Sequence, residues 1–105
     1  MVRAIWNGVV LATSEHTELL EGQHYFPPGT VDAAHLVRSS TMQNCLWKGV
    51  SQHFHIEVNG QVNPDAAWCF PEPKPEARDL RNYIAFNDTV SIEIVAINDL
   101  CVAGH

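Results

Sequence analysis

Apolar positions along this chain fall mostly in short alternating runs, the period of half-buried strands rather than of helices. The clearest run is 50–58. Val50, Phe54, Ile56 and Val58 share one face, Ser51, His53, His55 and Glu57 take the other, and Gln52 is the one polar residue on the apolar side. Asn59-Gly60 then turns the chain back into a second run over 61–70, because Asn-Gly readily supplies the positive φ angles of a tight hairpin turn. Pro64 has no N–H for a ladder, which predicts a bulge or an edge position; a one-residue slip there reverses the face of Trp68.

The same signal opens the chain: residues 3–6, Asn7-Gly8, then 9–13. This hairpin sets Trp6 against Val9 and Ile5 against Val10, with apolar side chains on both faces. A third strand is expected over 17–21 and a short one through Tyr25-Phe26, ended by Pro27-Pro28-Gly29. Thr30 can cap a helix over 31–38, with Asp32 in its first turn and Ala33, Leu36 and Val37 buried. Pro71, Pro73 and Pro75 lead into a second helix over 76–83, with Leu80 and Tyr83 inward. A last strand is expected over 89–97 and a tail over 98–105. The pattern predicts a mainly β fold of small antiparallel sheets with two short helices, packed as two sheets or a partly open barrel.

At 105 residues the chain suits a single compact domain, 1–105, with its core at about 2–97. Apolar residues make up 46% and charged residues 17%, against roughly 25% charged in an average globular chain, so a folded core is expected. Net charge is −6 with six scattered basic residues, which argues against nucleic acid as the main partner. No apolar run approaches the ~20 residues of a membrane span, and the start lacks a leader-like cleavage pattern. A cytoplasmic location is the expectation. Cys45, Cys69 and Cys101 are odd in number and widely spaced, which fits neither a disulfide framework nor a CxxC clip. Small buried thiols are the simplest reading.

His53 and His55 sit about 7 Å apart on one strand face, with Glu57 beside them. A metal needs a third and fourth ligand, which Cys45 or His24 would have to supply by folding; the simpler expectation is a solvated polar face with no metal. Asp65, ahead of Ala66-Ala67-Trp68, suits a pocket rim or a turn. No paired carboxylates, GxSxG, P-loop or GxGxxG occur. The strongest chemical signal is Cys45-Leu46-Trp47-Lys48-Gly49. Lys48 and Lys74 are the only lysines; Lys74 sits in an exposed proline-rich stretch, but Lys48 lies between an indole and a glycine. Gly49 permits a positive φ or a close approach, and Trp47 can shield the ammonium from water. Such a cation binds phosphate or carboxylate, or reacts if its pKa is lowered. The alternative is a core tryptophan beside a lysine whose stem reaches out to solvent.

Thr41, Cys45, Trp47-Lys48-Gly49, then Asp65-Ala66-Ala67-Trp68 ahead of Pro71-Glu72-Pro73, resemble the signature of the domain-of-unknown-function family 427, a small bacterial family sometimes labelled nucleotidyltransferase-like. The resemblance extends to Tyr25-Phe26-Pro27 and Tyr83-Ile84-Ala85-Phe86 and covers most of the chain. Leu46 stands where the family has proline, and Cys69 where an aromatic is usual. The resemblance implies a compact, mainly β, β-tent-like domain with no established activity. Nucleotidyl transfer needs clustered carboxylates for Mg²⁺ and a phosphate-gripping loop, and the sequence offers neither.

Two functions follow as expectations. The first is a pocket for a small planar or acidic ligand, such as a nucleotide or an organic acid. Tyr25, Phe26, Trp47 and Trp68 would be its walls, Lys48 its anchor and Thr41, Cys45 or His24 its polar groups, with Gly49 allowing the approach. If it is catalytic, Lys48 is the first candidate and Cys45 the second; no cofactor is implied. The second is a non-catalytic module pairing with a partner or with itself as a homodimer, since three tryptophans suit an interface anchor as well.

Overall fold

The computed structural model describes residues 1–95. The fold is mainly β, with three antiparallel sheets among the described residues. Strands β1 (Val2–Trp6) and β2 (Val9–Ser14) form the first hairpin. Asn7 and Gly8 take φ of 52° and 75°, and Trp6 pairs with Val9 and Ile5 with Val10 as expected. Strand β9 (Ser91–Ile94) pairs with the other edge of β1, within the last strand expected from the sequence. The expected tail over 98–105 and Cys101 lie outside the described residues.

The expected strand over 17–21 and the one at Tyr25 form a separate hairpin, β3 (Glu18–Leu20) and β4 (Gln23–Tyr25), around the Glu21-Gly22 turn. The helix expected over 31–38 does not form. Asp32, not Thr30, caps a single 3₁₀ turn at Ala33–His35, while the Thr30 hydroxyl donates to the carbonyl of Pro27. The chain then enters a ten-residue strand, β5 (Leu36–Cys45). Ser39-Ser40-Thr41 disfavours helix because short hydroxyl side chains compete for backbone groups, and pairing with a long neighbour outweighs the weak helical pattern. Ala33 and Val37 are accordingly exposed, and only Leu36 packs on the core.

That neighbour is β6 (Gly49–Val58), which pairs on its other side with β7 (Gln61–Cys69), itself followed by β8 (Ile84–Phe86). The bulge predicted near Pro64 is present: the β6–β7 register shifts between Phe54 and Ile56, and Asp65 takes φ of 51°. It leaves Trp68 opposite His53. The second expected helix is instead a 3₁₀ segment, Pro75–Leu80, broken by a non-helical Ala77. Leu80 and Tyr83 do turn inward. Among the described residues there is thus no α-helix, and no sheet closes on itself as a barrel.

Strand alternation sends neighbouring residues to opposite faces of the large sheet. Ala67 and Phe86 face the main core, with Phe26, Ile56 and Val58 and with Ala4 and Leu11 of the small sheet. Trp68 and Ala85 face a second cluster with Tyr25, Phe70, Ala77 and Leu80. Tyr25 and Phe26 are adjacent in sequence yet belong to different clusters. No helix among the described residues is long and apolar enough to cross a membrane.

Candidate functional site

Leu46, Trp47 and Lys48 form the connection between β5 and β6, closed by the Cys45–Gly49 pair. Gly49 has φ of +109°, and a Cβ there would meet the carbonyl of Glu72 at 3.2 Å. The proline-rich segment lies against this turn: the Lys74 amide donates to the Lys48 carbonyl at 3.0 Å, and the Lys74 ammonium donates to the Leu46 carbonyl. Lys74, expected to be a simple exposed residue, therefore fastens the turn. Leu46 points outward, Trp47 is partly exposed, and Lys48 is turned inward with 8% exposure.

Lys48 reaches a cavity of about 360 Å³. Its wall is formed by Glu21, Gln23 and Tyr25 of the β3–β4 hairpin, Gln43, Asn44 and Cys45 of β5, Ser51 and His53 of β6, and Trp68 and Phe70. The ammonium donates to Glu21 Oε1 at 2.5 Å and to the Tyr25 hydroxyl at 3.4 Å. It lies 5.3 Å from the centre of the Phe70 ring and 5.4 Å from that of Trp47. Burial works against the charged form, but the hydrogen bond to Glu21 and the charge and hydroxyl of Tyr25 outweigh it, so the pKa rises above the ordinary 10.5. Lys48 is an ammonium at neutral pH. Imine chemistry at this residue, which requires a lowered value, finds no support.

Tyr25 is 1% exposed, and its hydroxyl oxygen also accepts from Trp68 Nε1 at 3.3 Å. Opposite Trp68 on the ladder, His53 stands with its ring centre 6.0 Å from the indole. His53 Nε2 is 2.9 Å from Ser51 Oγ, which is also 3.2 Å from the Gln43 carbonyl. Burial pushes the imidazole below its ordinary 6.5, opposed by the charge of Asp65. The face expected to be solvated is thus covered at Ser51 and His53, with 5% and 8% exposure.

Asp65 accepts from the Thr41 hydroxyl at 2.8 Å, and its amide donates to His55 Nδ1 at 3.0 Å. Hydrogen bonds from Ser39 and Thr41 hold its carboxyl below the ordinary range; burial opposes them, and His55 and His53 add favourable charge. Buried and without a hydrogen-bond partner among the described residues are His53 Nδ1 and Asp65 Oδ1 here, and Arg3 Nε elsewhere. His53 and His55 therefore face different partners, and no group of three or more His, Cys, Asp or Glu among the described residues could hold a metal.

Of the residues expected at the site, Tyr25, Cys45, Lys48 and Trp68 line the cavity. Phe26 does not: it is fully buried in the main core, edge-on to Phe86 with ring centres 5.7 Å apart. Thr41 is engaged with Asp65, and His24 with the Thr17 hydroxyl at 2.6 Å, both outside the wall. Trp47 covers Lys48 from outside and lines a smaller depression with Leu19, Leu20 and Leu80. Gly49 shapes the turn without reaching the cavity. Cys69 lies beside Gln52 on the other face, its thiol pushed up by burial against the effect of Arg38; it fits the expected buried thiol, whereas Cys45 is half-buried in the cavity wall. Sequence reasoning missed Glu21, Gln23, Gln43, Asn44, Ser51, His53 and Phe70 as wall residues. The Ser-x-His spacing opposite Trp68 was the available signal for two of them; a turn glutamate carries none.

No curated protein matches the chain. The model of the family described as a domain of unknown function, DUF427, matches residues 1–96, a span that includes every residue of the cavity wall. The nucleotidyltransferase-like label attached to that family is a name only. By this match the chain belongs to the DUF427 family.

Proposed function

We propose that the protein binds a small acidic or phosphate-bearing molecule in the Lys48 cavity. The observation that carries this is a buried, charged ammonium set among aromatic rings, with its one carboxylate partner among the described residues, Glu21, on a hairpin turn and with its side chain 56% exposed. A ligand anion can take the place of Glu21 without opening the core. Gln23, Gln43 and Asn44 supply donors and acceptors around it, the usual makeup of a small-molecule site. The three open sheets are compatible with the β-tent-like or partly open barrel form that the resemblance implies, and the cytoplasm suits a chain with free thiols at Cys45 and Cys69.

The test is thermal unfolding of wild type and Lys48→Ala against nucleotides, phosphorylated metabolites and small carboxylic acids. A ligand at 100 times its Kd adds about 2.7 kcal/mol, a rise of roughly 10 °C or more for a domain of this size. The expected outcome is a shift in wild type that is lost in the folded variant. Silence across the panel with both proteins folded would defeat the proposal.

A second reading, self-association as a homodimer or pairing with another protein, is favoured by the edge position of β5, by exposed Val37 and Met42 along it, and by exposed Leu46 in the turn that follows. A mass that rises with concentration in light scattering, alongside a silent ligand panel, would support this reading instead.

A further inference from the structure

The geometry points to Ser51 and His53 as a nucleophile–base pair that hydrolyses small esters within the Lys48 cavity, an inference that rests on reading this cavity as a small-molecule site. Both residues project from the same face of β6 into the wall, and both are more than nine-tenths buried. A serine on a solvated sheet face would have water for company. Here its hydroxyl lies 2.9 Å from His53 Nε2, which accepts from it in the tautomer protonated at Nδ1, and 3.2 Å from the Gln43 carbonyl, to which it donates in the other. Hydroxyl-to-imidazole contact within hydrogen-bond reach is the basic requirement for activating a serine.

The second observation lies on the far side of the imidazole. For Nε2 to accept a proton, Nδ1 must carry one, and Nδ1 is buried without a hydrogen-bond partner among the described residues. Asp65 Oδ1 is likewise buried without a hydrogen-bond partner among the described residues, 3.7 Å from His55 Nδ1, and the Asp65 charge acts on His53. Asp65 occupies the β7 bulge with φ of 51°, fixed by Thr41; a non-glycine residue held there is strained and must be over-determined by its surroundings. We assign it as a positioning residue, whose negative charge favours the imidazolium formed during reaction.

Tyr25 supplies the third element. Its oxygen accepts from Lys48 Nζ and from Trp68 Nε1, so its own hydrogen is free for a ligand. It suits an oxygen that becomes negative. In the first step Ser51 Oγ forms a bond to the ester carbonyl carbon and its proton passes to His53 Nε2. The resulting oxyanion accepts from Tyr25. Collapse breaks the bond to the alcohol oxygen, which leaves with the proton from Nε2. Solvent water then attacks the acyl group, gives a proton to Nε2, and releases the acid as Ser51 takes that proton back. An anionic group elsewhere in the substrate meets Lys48.

The experiment is reaction with a fluorophosphonate, a reagent for activated serines, followed by intact mass and peptide mapping. The wild-type protein is expected to gain one adduct on Ser51. Ser51→Ala should gain none, and His53→Gln should react about 10²–10⁴-fold more slowly, the usual worth of a general base. Thermal unfolding checks each variant, and mapping on wild type needs no variant at all. Absence of a Ser51 adduct in wild type, or an undiminished rate in folded His53→Gln, overturns the proposal. For Asp65→Asn the pH midpoint of labelling should move down, since the imidazolium loses a neighbouring negative charge. His55 on the same strand, Asp65 on β7, and Glu21, Cys45, Tyr25 and Lys48 around the cavity are the ionisable groups near His53. An unmoved midpoint overturns the role of Asp65. Ligand-induced thermal shifts without a Ser51 adduct refute this inference alone; a Ser51 adduct in a protein that ignores every anion refutes the anion site and keeps the pair.

Discussion

Three ionisable groups in the site respond to their surroundings in different directions, and each direction has a sign in stability. Burial lowers His53 from its ordinary 6.5, so the folded state prefers the neutral ring. That preference leaves stability at its full value above pH 6.5 and removes it as pH falls below. Asp65 is also lowered, chiefly by hydrogen bonds from Ser39 and Thr41, so its contribution is present above 3.8 and is lost as pH drops through its own lower value. Lys48 is raised above 10.5, and its contribution disappears only in strong base. Denaturant unfolding should therefore give a free energy that is flat near neutrality and declines below pH 6.5. In His53→Gln the first part of that decline should be smaller. An unchanged acid limb in the variant would show that the ring is not held neutral by burial.

At the scale of elements, the turn between β5 and β6 is the part on which the site depends most. Gly49 combines a left-handed φ with the close approach of the Glu72 carbonyl, so Gly49→Ala is expected to cost about 1–3 kcal/mol, as strained backbone positions do. Urea denaturation checks this; a loss under 0.5 kcal/mol, the scale of ordinary surface changes, would mean that the segment around Glu72 simply moves aside. The peculiar composition of this turn was legible because lysine, glycine and tryptophan together suit neither a solvent turn nor a core. Both Asn-Gly hairpins were legible too, since their chemistry is local, and the bulge followed from Pro64. Strand β5 was not legible: residues 31–38 carry a weak helical pattern, and the strand exists through pairing with β6. The roles of Ser51 and His53 were hidden for the same reason. Alternation says which residues share a face, but the cover over that face comes from β3–β4 and from Phe70, both distant in sequence.

For the whole molecule, the large sheet separates a dry core from a cavity, and the strand carrying Tyr25 crosses the boundary between them. Tyr25 lines the cavity; the next residue, Phe26, is at the centre of the dry core and exchanges backbone hydrogen bonds with Ile84, at 2.8 and 2.9 Å. One peptide unit therefore joins the two compartments. Opening the Phe26–Ile84 bridge requires Tyr25 to move with it, because a rigid extended chain cannot displace one residue and leave its neighbour in place. A molecule held in the cavity through Tyr25 should raise the energy of that opening. Amide hydrogen exchange at Phe26 and Ile84 should slow on ligand addition by the factor set by binding, about 100-fold at 100 times Kd. Equal exchange rates with and without ligand would show that the bridge opens independently of Tyr25. The main core would thus serve as a remote recorder of what occupies the pocket, readable without any probe placed in the site.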